Sequence, residues 1–237
     1  MFKDLFTRKT SILSAGLLSG GVDRHSHILP GVDDGVKTME ESLEILSFLE
    51  DAGLKSLWLT PHTAEDMSNT TEALQLRFSG LKAAYQGKIE LNLASEYMLD
   101  TLYERHLEER DLLTMEEDTV LVETSTWNPP YNMEAILHST MSAGYRPLLA
   151  HPERYRYMEM ADYEKWAAMG VRFQLNLPSL TGFYGPSAKK KAEALLEKGM
   201  YSCWGSDCHR MSVLTRQYAA EELKNKEIKI LKEFITE

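Results

Sequence analysis

Cysteine is scarce in this 237-residue chain, with Cys203 and Cys208 the only two. Two thiols are too few for a disulfide framework, so the expected setting is reducing and cytoplasmic. Long apolar runs are missing as well, and none approaches the roughly 18 residues of a membrane-crossing helix. Clustered Lys and Arg are absent too. The net charge is −10, and without a basic stripe there is no counterion release to drive general nucleic-acid binding. Neither a Pro/Gly-rich linker nor a low-complexity tract divides the chain, so a single domain is expected. What remains is an ordinary globular composition, 43% hydrophobic and 26% charged. It is large enough to bury a sizeable core, and its partner is expected to be a small molecule or a protein segment.

The first twenty residues carry a few basic side chains followed by a weakly apolar stretch, in the manner of a secretory signal. Ser14 and Gly16 interrupt the run from Ile12 to Leu18, Asp4 sits in the basic part, and no A-x-A cleavage site follows. Residues 1–20 are therefore expected to be an uncleaved N-terminal tail ahead of a domain over 21–237.

From there the chain alternates. Short apolar runs near 22–28, 56–61, 89–95, 119–124, 147–150, 171–177 and 200–205 read as buried strands. Stretches of helical period lie at 39–52, 72–86, 132–143, 162–169, 187–198 and 212–235. In the first, Thr38 and Glu41 form a T-x-x-E capping box, Leu43, Leu46 and Leu49 share a face, and Gly53 is a stop signal. Strand and helix alternating about seven times predicts a parallel sheet covered by helices.

Nearly every expected strand ends in a histidine or an acid. These are His25 and His27, His62, Glu96, Glu123, His151, and Asp207 with His209. An open doubly wound sheet gathers ligands from two or three strands at its switch point. Six or seven contributing strands meet only in a closed or nearly closed barrel, whose active site lies at the carboxyl ends of its strands. The fold expected is thus an α/β barrel in one domain.

Five histidines interleaved with acids at strand ends form a metal-ligand pattern, whereas His106 and His138 fall in helical or polar segments. His25-x-His27 projects both rings to one side of a strand because side chains repeat every two residues, and Asp207-x-His209 repeats the device. Imidazole mixed with carboxylate suits Mn, Fe or Zn, while thiolates would mark a structural zinc. Cys208, between two ligands, should face away into the core. Asp34, from the DDG turn, brings the candidates to nine. At three or four protein ligands per catalytic ion this implies two or three metals.

The strings DRHSHILPGVDDG, TPH, AHPERY, QLNLPSLTGFYG and SDCH, with Glu96 and Glu123, resemble the polymerase-and-histidinol-phosphatase (PHP) superfamily. More closely they resemble its branch of metal-dependent protein-tyrosine phosphatases associated with capsular and exopolysaccharide synthesis. The resemblance runs from about residue 21 to 216. It implies a distorted, TIM-like (β/α)7 barrel with a trinuclear, commonly manganese, centre. One ion would be held by His25, His27, Glu96 and Asp207. A second would use Glu96 as a bridge with Glu123 and His151, and a third would take Asp34, His62 and His209. Arg154 matches an arginine expected to bind phosphate. The family often has Asn after the last His and an Arg a few residues on; here Arg210 follows His209 directly and Arg216 comes next, so both are candidates for a second phosphate contact.

The activity so implied is hydrolysis of phosphotyrosine on a protein, a bacterial tyrosine autokinase being the expected partner. Four carboxylates facing three divalent ions would leave a small positive excess suited to a phosphate dianion. No thiol nucleophile is then required, and none is spaced for the job: the C-x5-R loop of thiol phosphatases is missing, since six residues after Cys203 stands His209 and six after Cys208 stands Leu214. The alternative is a small-molecule PHP phosphoesterase such as a histidinol-phosphate phosphatase, against which the HILPGVDDG, HPERY and SLTG strings count. A non-catalytic binding module on the same scaffold would have lost ligands, and none is lost. The segment STWNPPYN after Glu123 is expected as a loop at the mouth of the site, either touching substrate or packing, and Tyr155 and Tyr157 are expected to be structural or rim residues.

Overall fold

The computed structural model describes residues 9–116, 118–220 and 222–236. Nine short strands and eight α-helices alternate along it in the order β1 (Val22–Asp23), α1 (Met39–Asp51), β2 (Ser56–Leu59), β3 (His62–Thr63), α2 (Thr71–Ala84), β4 (Glu90–Leu93), β5 (Glu96–Met98), α3 (Thr101–Glu109), β6 (Thr119–Glu123), α4 (Met133–Ser142), β7 (Arg146–Ala150), α5 (Met160–Met169), β8 (Arg172–Asn176), α6 (Pro186–Glu197), β9 (Tyr201–Gly205), α7 (Met211–Ala219) and α8 (Asn225–Thr236). All strand pairing is parallel, in a three-stranded sheet β1-β2-β4 and a six-stranded sheet β3-β5-β6-β7-β8-β9.

The two sheets belong to seven strand positions, because β2 runs on into β3 and β4 into β5. The ladder breaks at Thr60-Pro61 and Ala94-Ser95; Pro61 has no N–H to donate. Ala94 N–H to Leu59 O (2.9 Å) and Glu96 N–H to Pro61 O (3.1 Å) carry the pairing across the break. Beyond β1 and β9 the outer edges meet through Arg24 N–H to Trp204 O (3.1 Å), Asp207 N–H to His25 O (2.8 Å) and His27 N–H to Cys208 O (2.9 Å). The expected seven parallel positions are present, therefore, as two sheets stitched by these bonds rather than as one uninterrupted barrel ladder.

Strand alternation sorts side chains into two cores. In β6, Val120 and Val122 join the large cluster beneath the helices, whereas Leu121 joins Ala94, Met115, Leu148 and Ala150 in a small separate one. With a period of two, Glu96 follows Ala94 and Glu123 follows Leu121 on that inner side. The apolar plug therefore passes directly into the acidic candidate ligands at the carboxyl ends.

Thr38 caps α1 by accepting Glu41 N–H at 3.2 Å, and Gly53, at φ 86°, supplies the left-handed stop. Residues 9–20, within the expected N-terminal tail, pack on the domain: Ile12, Leu17 and Leu18 are buried, and Thr10 and Leu223 exchange two backbone bonds of 3.0 Å; residues 1–8 lie outside those described. Two helix expectations need correction. The same bridge explains why 212–235 is two helices, since it holds Leu223, between α7 and α8, in antiparallel pairing with Thr10. Finally, α3 is a helix the periodicity did not predict. Its signal was Asp100, which accepts Tyr103 N–H at 3.0 Å. Among the described residues no helix is long and apolar enough to cross a membrane.

Candidate metal centre

The nine expected ligands fall into four overlapping groups whose donor atoms lie within 4.8 Å of one another: His27, Asp34, His62 and His209; His25, Glu96 and His151; His25, His27 and Asp207; His62, Glu96 and Glu123. The third expected set, Asp34, His62 and His209, is present with His27 added. Glu96 divides differently from the expectation, grouping with His25 and His151 on one side and with His62 and Glu123 on the other.

The cluster is built from buried groups. His25, His27 and Glu96 are fully buried, and His151 and Asp207 nearly so. The Nε2 atoms of His25 and His27 face each other at 2.9 Å. Glu96 Oε2 stands 3.2 Å from His25 Nε2, 3.3 Å from His27 Nε2 and 3.1 Å from His62 Nδ1, yet it makes no hydrogen bond and neither does His62 Nδ1. A buried carboxylate oxygen ringed by three nitrogens and bonded to none is costly unless a cation takes the place of the missing partners. The donor set therefore fits divalent ions.

Outer partners turn these rings inward. His27 Nδ1 lies 2.8 Å from Asp33 Oδ2, His25 Nδ1 is 2.9 Å from Gln174 Oε1, and His209 Nδ1 is 2.9 Å from Asp207 O. Each of these oxygens accepts Nδ1–H and leaves Nε2 as the electron-pair donor, the arrangement found around metal-binding histidines. His151 and Asp207 occupy left-handed backbone, at φ 35° and 53°, a region that non-glycine residues adopt rarely and that recurs at functional sites.

The side chains of the cluster also shift one another's protonation. Burial opposes protonation of His27, but Asp207, Asp33 and Glu96 outweigh it and hold the ring well above its ordinary value. For His62, burial and the neighbouring His27 oppose protonation while Glu96 and Glu123 prevail, raising it to about 10. Burial works against the Glu96 and Asp207 carboxylates as well; His25 and His62 nevertheless hold Glu96 well below the usual range, and Arg154 and His25 do the same for Asp207.

Of the expected arginines, Arg154 reaches the cluster. Its guanidinium donates to Asp207 Oδ2 at 2.5 Å and lies 4.4 Å from the centre of the Tyr184 ring. Arg216 stacks on Phe183 at 5.2 Å, next to Tyr184. Arg210 is exposed at the start of α7. In the loop after Glu123, Trp127 and Tyr131 are exposed, and the Arg156 guanidinium sits 3.7 Å from the Trp127 ring centre. Tyr155 is buried with its hydroxyl on Ala150 O at 2.9 Å, and Tyr157 bonds Thr124 Oγ1 at 2.6 Å. Cys208 packs in the core as expected, and burial pushes the Cys203 thiol up to about 12, so neither is an activated nucleophile.

Four residues at this site were not singled out from sequence. Asp33 accepts from His27, Gly35 N–H (2.9 Å) and His62 N–H (3.1 Å), while its neighbour Asp34 points its carboxylate at His209 Nε2, 3.3 Å away. Asn176 Nδ2 donates to Asp207 Oδ2 at 3.0 Å, and the Tyr184 hydroxyl is 3.4 Å from the same atom. Gln174 completes the set. The signal was polar residues at 174 and 176, alternating inside the apolar strand RFQLNL; period two places both on the inner side.

Comparison with known proteins places the chain. Residues 21–228 match the family of capsular polysaccharide synthesis proteins described as CpsB/CapC. The chain belongs to this family. Among its relatives, the tyrosine-protein phosphatase YwqE of Bacillus subtilis is 27% identical over 208 residues, covering 85% of this chain and 81% of YwqE. The tyrosine-protein phosphatase CpsB of Streptococcus pneumoniae is 27% identical over 228 residues, covering 86% of this chain and 93% of CpsB. A crystal structure from work on YwqE and CpsB, described there as unique metal-dependent tyrosine phosphatases, superposes with a TM-score of 0.76 at 23% identity over 90% of this chain and 86% of the other. That likeness establishes the fold as the one this CpsB/CapC member shares with them.

Proposed function

We propose that this CpsB/CapC protein is a metal-dependent protein-tyrosine phosphatase of the cytoplasm, acting on a bacterial tyrosine autokinase that governs capsular or exopolysaccharide synthesis. The observation that carries the reading is Glu96 Oε2, buried and unbonded among three imidazole nitrogens, in a family whose relatives are named tyrosine phosphatases. His25, His27, Asp34, His62, Glu96, Glu123, His151, Asp207 and His209 would hold two or three divalent ions, manganese foremost, with iron or zinc as alternatives. When bound, such ions supply positive charge for the phosphoryl oxygens and lower the pKa of water toward neutrality.

The chain's own groups do the rest. Arg154, a quarter exposed and already paired with a cluster carboxylate, is placed to hold a phosphoryl oxygen and to strengthen that bond as charge develops. Arg216, beside Phe183, is the better placed of the two remaining candidates for the opposite side. Asp33, Gln174 and Asn176 hold ligands in orientation. No side chain at the cluster is a strong proton donor: the histidines and acids are committed to ligation, and burial pushes the Tyr184 hydroxyl above its ordinary value. A tyrosine phenolate, whose parent pKa is about 10, departs without full protonation, whereas an alkoxide needs an acid.

The test is a metal-supplemented assay of the purified protein against phosphotyrosine peptide, phosphoserine peptide and histidinol phosphate in parallel. The aryl ester should have the highest kcat/KM, and treatment of the folded protein with a thiol-alkylating reagent should leave the rate largely intact. Faster hydrolysis of histidinol phosphate or phosphoserine would transfer the protein to the small-molecule phosphoesterases.

A further inference from the structure

Arg154 belongs to two places at once. It contacts the candidate metal cluster through Asp207, and it also lines a cavity of about 400 Å3 shared with Tyr184, Arg156, Lys191, Gly185 and the first residues of α6, Pro186–Ala188. The cavity wall is cationic. Among the described residues neither Arg156 nor Lys191 pairs with a carboxylate: Arg156 lies on Trp127, and Lys191 Nζ donates to the carbonyls of Tyr155 (2.8 Å) and Met158 (2.5 Å). Glu159 and Asp162 influence Lys191 only at longer range, and they are engaged in capping α5. The one acid in the lining, Glu153, is buried and accepts from Asn176 N–H and the Tyr201 hydroxyl, both at 3.0 Å. Helix α6 begins at the cavity with no acid in its first turn, so its positive end adds to the field. In a protein of net charge −10, a concave patch that carries Arg156 and Lys191, neither paired with a carboxylate, selects for an anion beside the cluster.

We propose that this cavity is a second anion subsite that takes an acidic group of the substrate close in sequence to the scissile phosphotyrosine. The group is a carboxylate of Asp or Glu, or a further phosphoryl. An extended peptide advances about 3.3 Å per residue, so with the scissile phosphate at the cluster and Arg154 as the common wall, a near neighbour enters the cavity. Arg156 is the anchor, because it is exposed and its guanidinium can bind an oxyanion with two donors while remaining stacked on Trp127. The inference rests on the phosphotyrosine reading of the centre.

The experiment uses metal-loaded full-length protein and peptides identical except near the phosphotyrosine, where the residues are neutral, carboxylate-bearing or phosphorylated. Both anionic forms should lower KM about three- to tenfold relative to the neutral one with kcat little changed. Arg156→Gln should abolish the difference, Arg156→Lys should retain part of it, and p-nitrophenyl phosphate, which has no flanks, should be turned over equally by all three proteins. Calorimetric binding of hydrolysis-resistant phosphonate versions supplies a readout independent of turnover. Equal binding of neutral and anionic phosphonates to the unsubstituted protein, or a preference that survives in Arg156→Gln, overturns the subsite. Should phosphotyrosine peptides resist hydrolysis while the phosphonates keep an Arg156-dependent preference, the phosphatase reading falls and the subsite stands. The relative strength of the carboxylate and phosphoryl arms identifies which source the cavity takes.

Discussion

Glu96 and Asp33 differ in what they would do for bound ions, and substitution separates them. Glu96 is the one carboxylate that lies in two of the candidate groups, so Glu96→Gln should remove more metal and more activity than Asp34→Asn, whose side chain is largely exposed. Equal metal content and rate in the Glu96 variant would contradict its place at the centre. Asp33 contacts the ring nitrogen of His27 that faces away from the cluster; Asp33→Asn should weaken metal binding about 10- to 100-fold, read by calorimetry, with the fold intact. Arg154→Ala should lower kcat/KM by roughly 10²-fold at unchanged metal content, because a cation on the transferring phosphoryl group acts mostly in the transition state. Gly205 is fixed by space: a Cβ there would stand 2.4 Å from His25 Cβ and 2.6 Å from Gln174 Nε2. Gly205→Ala should therefore displace His25, cost about 2 kcal/mol in unfolding free energy and reduce metal occupancy. A stable, fully loaded variant would show that the neighbouring strands give way.

At the scale of elements, what the sequence revealed and what it hid have separate causes. Strands were legible because parallel strands buried on both faces are continuous apolar runs, and seven runs correspond to the seven strand positions. Where β2 gives way to β3, the proline at 61 was visible, but its effect was not, because whether a ladder breaks depends on the neighbouring strand. Helix α1 was legible from its cap and its apolar stripe. The break between α7 and α8 was invisible, since it is imposed by Thr10, more than two hundred positions away. The candidate ligands stood out by type and by position at strand ends, whereas Gln174 and Asn176 looked like ordinary strand polars. Of the adjacent acids Asp33 and Asp34 only the second was singled out, and the role of the first was hidden because it is the turn that buries Asp33 against His27 while Asp34 faces His209. The cap itself is testable: Thr38→Ala should destabilise the protein by about 1 kcal/mol, visible as a small drop in Tm.

The whole molecule gathers these charges into one interior, so its stability should depend on pH and metal together. In the metal-free protein His62 is raised to about 10, above the roughly 6.5 of an unfolded histidine. The stabilisation from its proton is thus complete below about pH 6.5 and disappears as pH rises through the folded value. Glu96 and Asp207 are shifted the other way, so their contribution is present above about pH 4 and is lost in acid. Without metal, stability should be greatest in mildly acidic solution and decline on the alkaline side. Divalent ions compete with the same imidazole protons, and their binding becomes more favourable as those protons leave. The gain in Tm on adding saturating Mn²⁺ should accordingly be larger at about pH 8 than at about pH 6, since ligand stabilisation grows with the logarithm of affinity. Titrations in two buffers of different ionisation enthalpy should also reveal protons released on binding. A gain that shrinks between those pH values, with no proton release, would mean that the imidazole protons are not displaced by the ion and that the metal binds elsewhere.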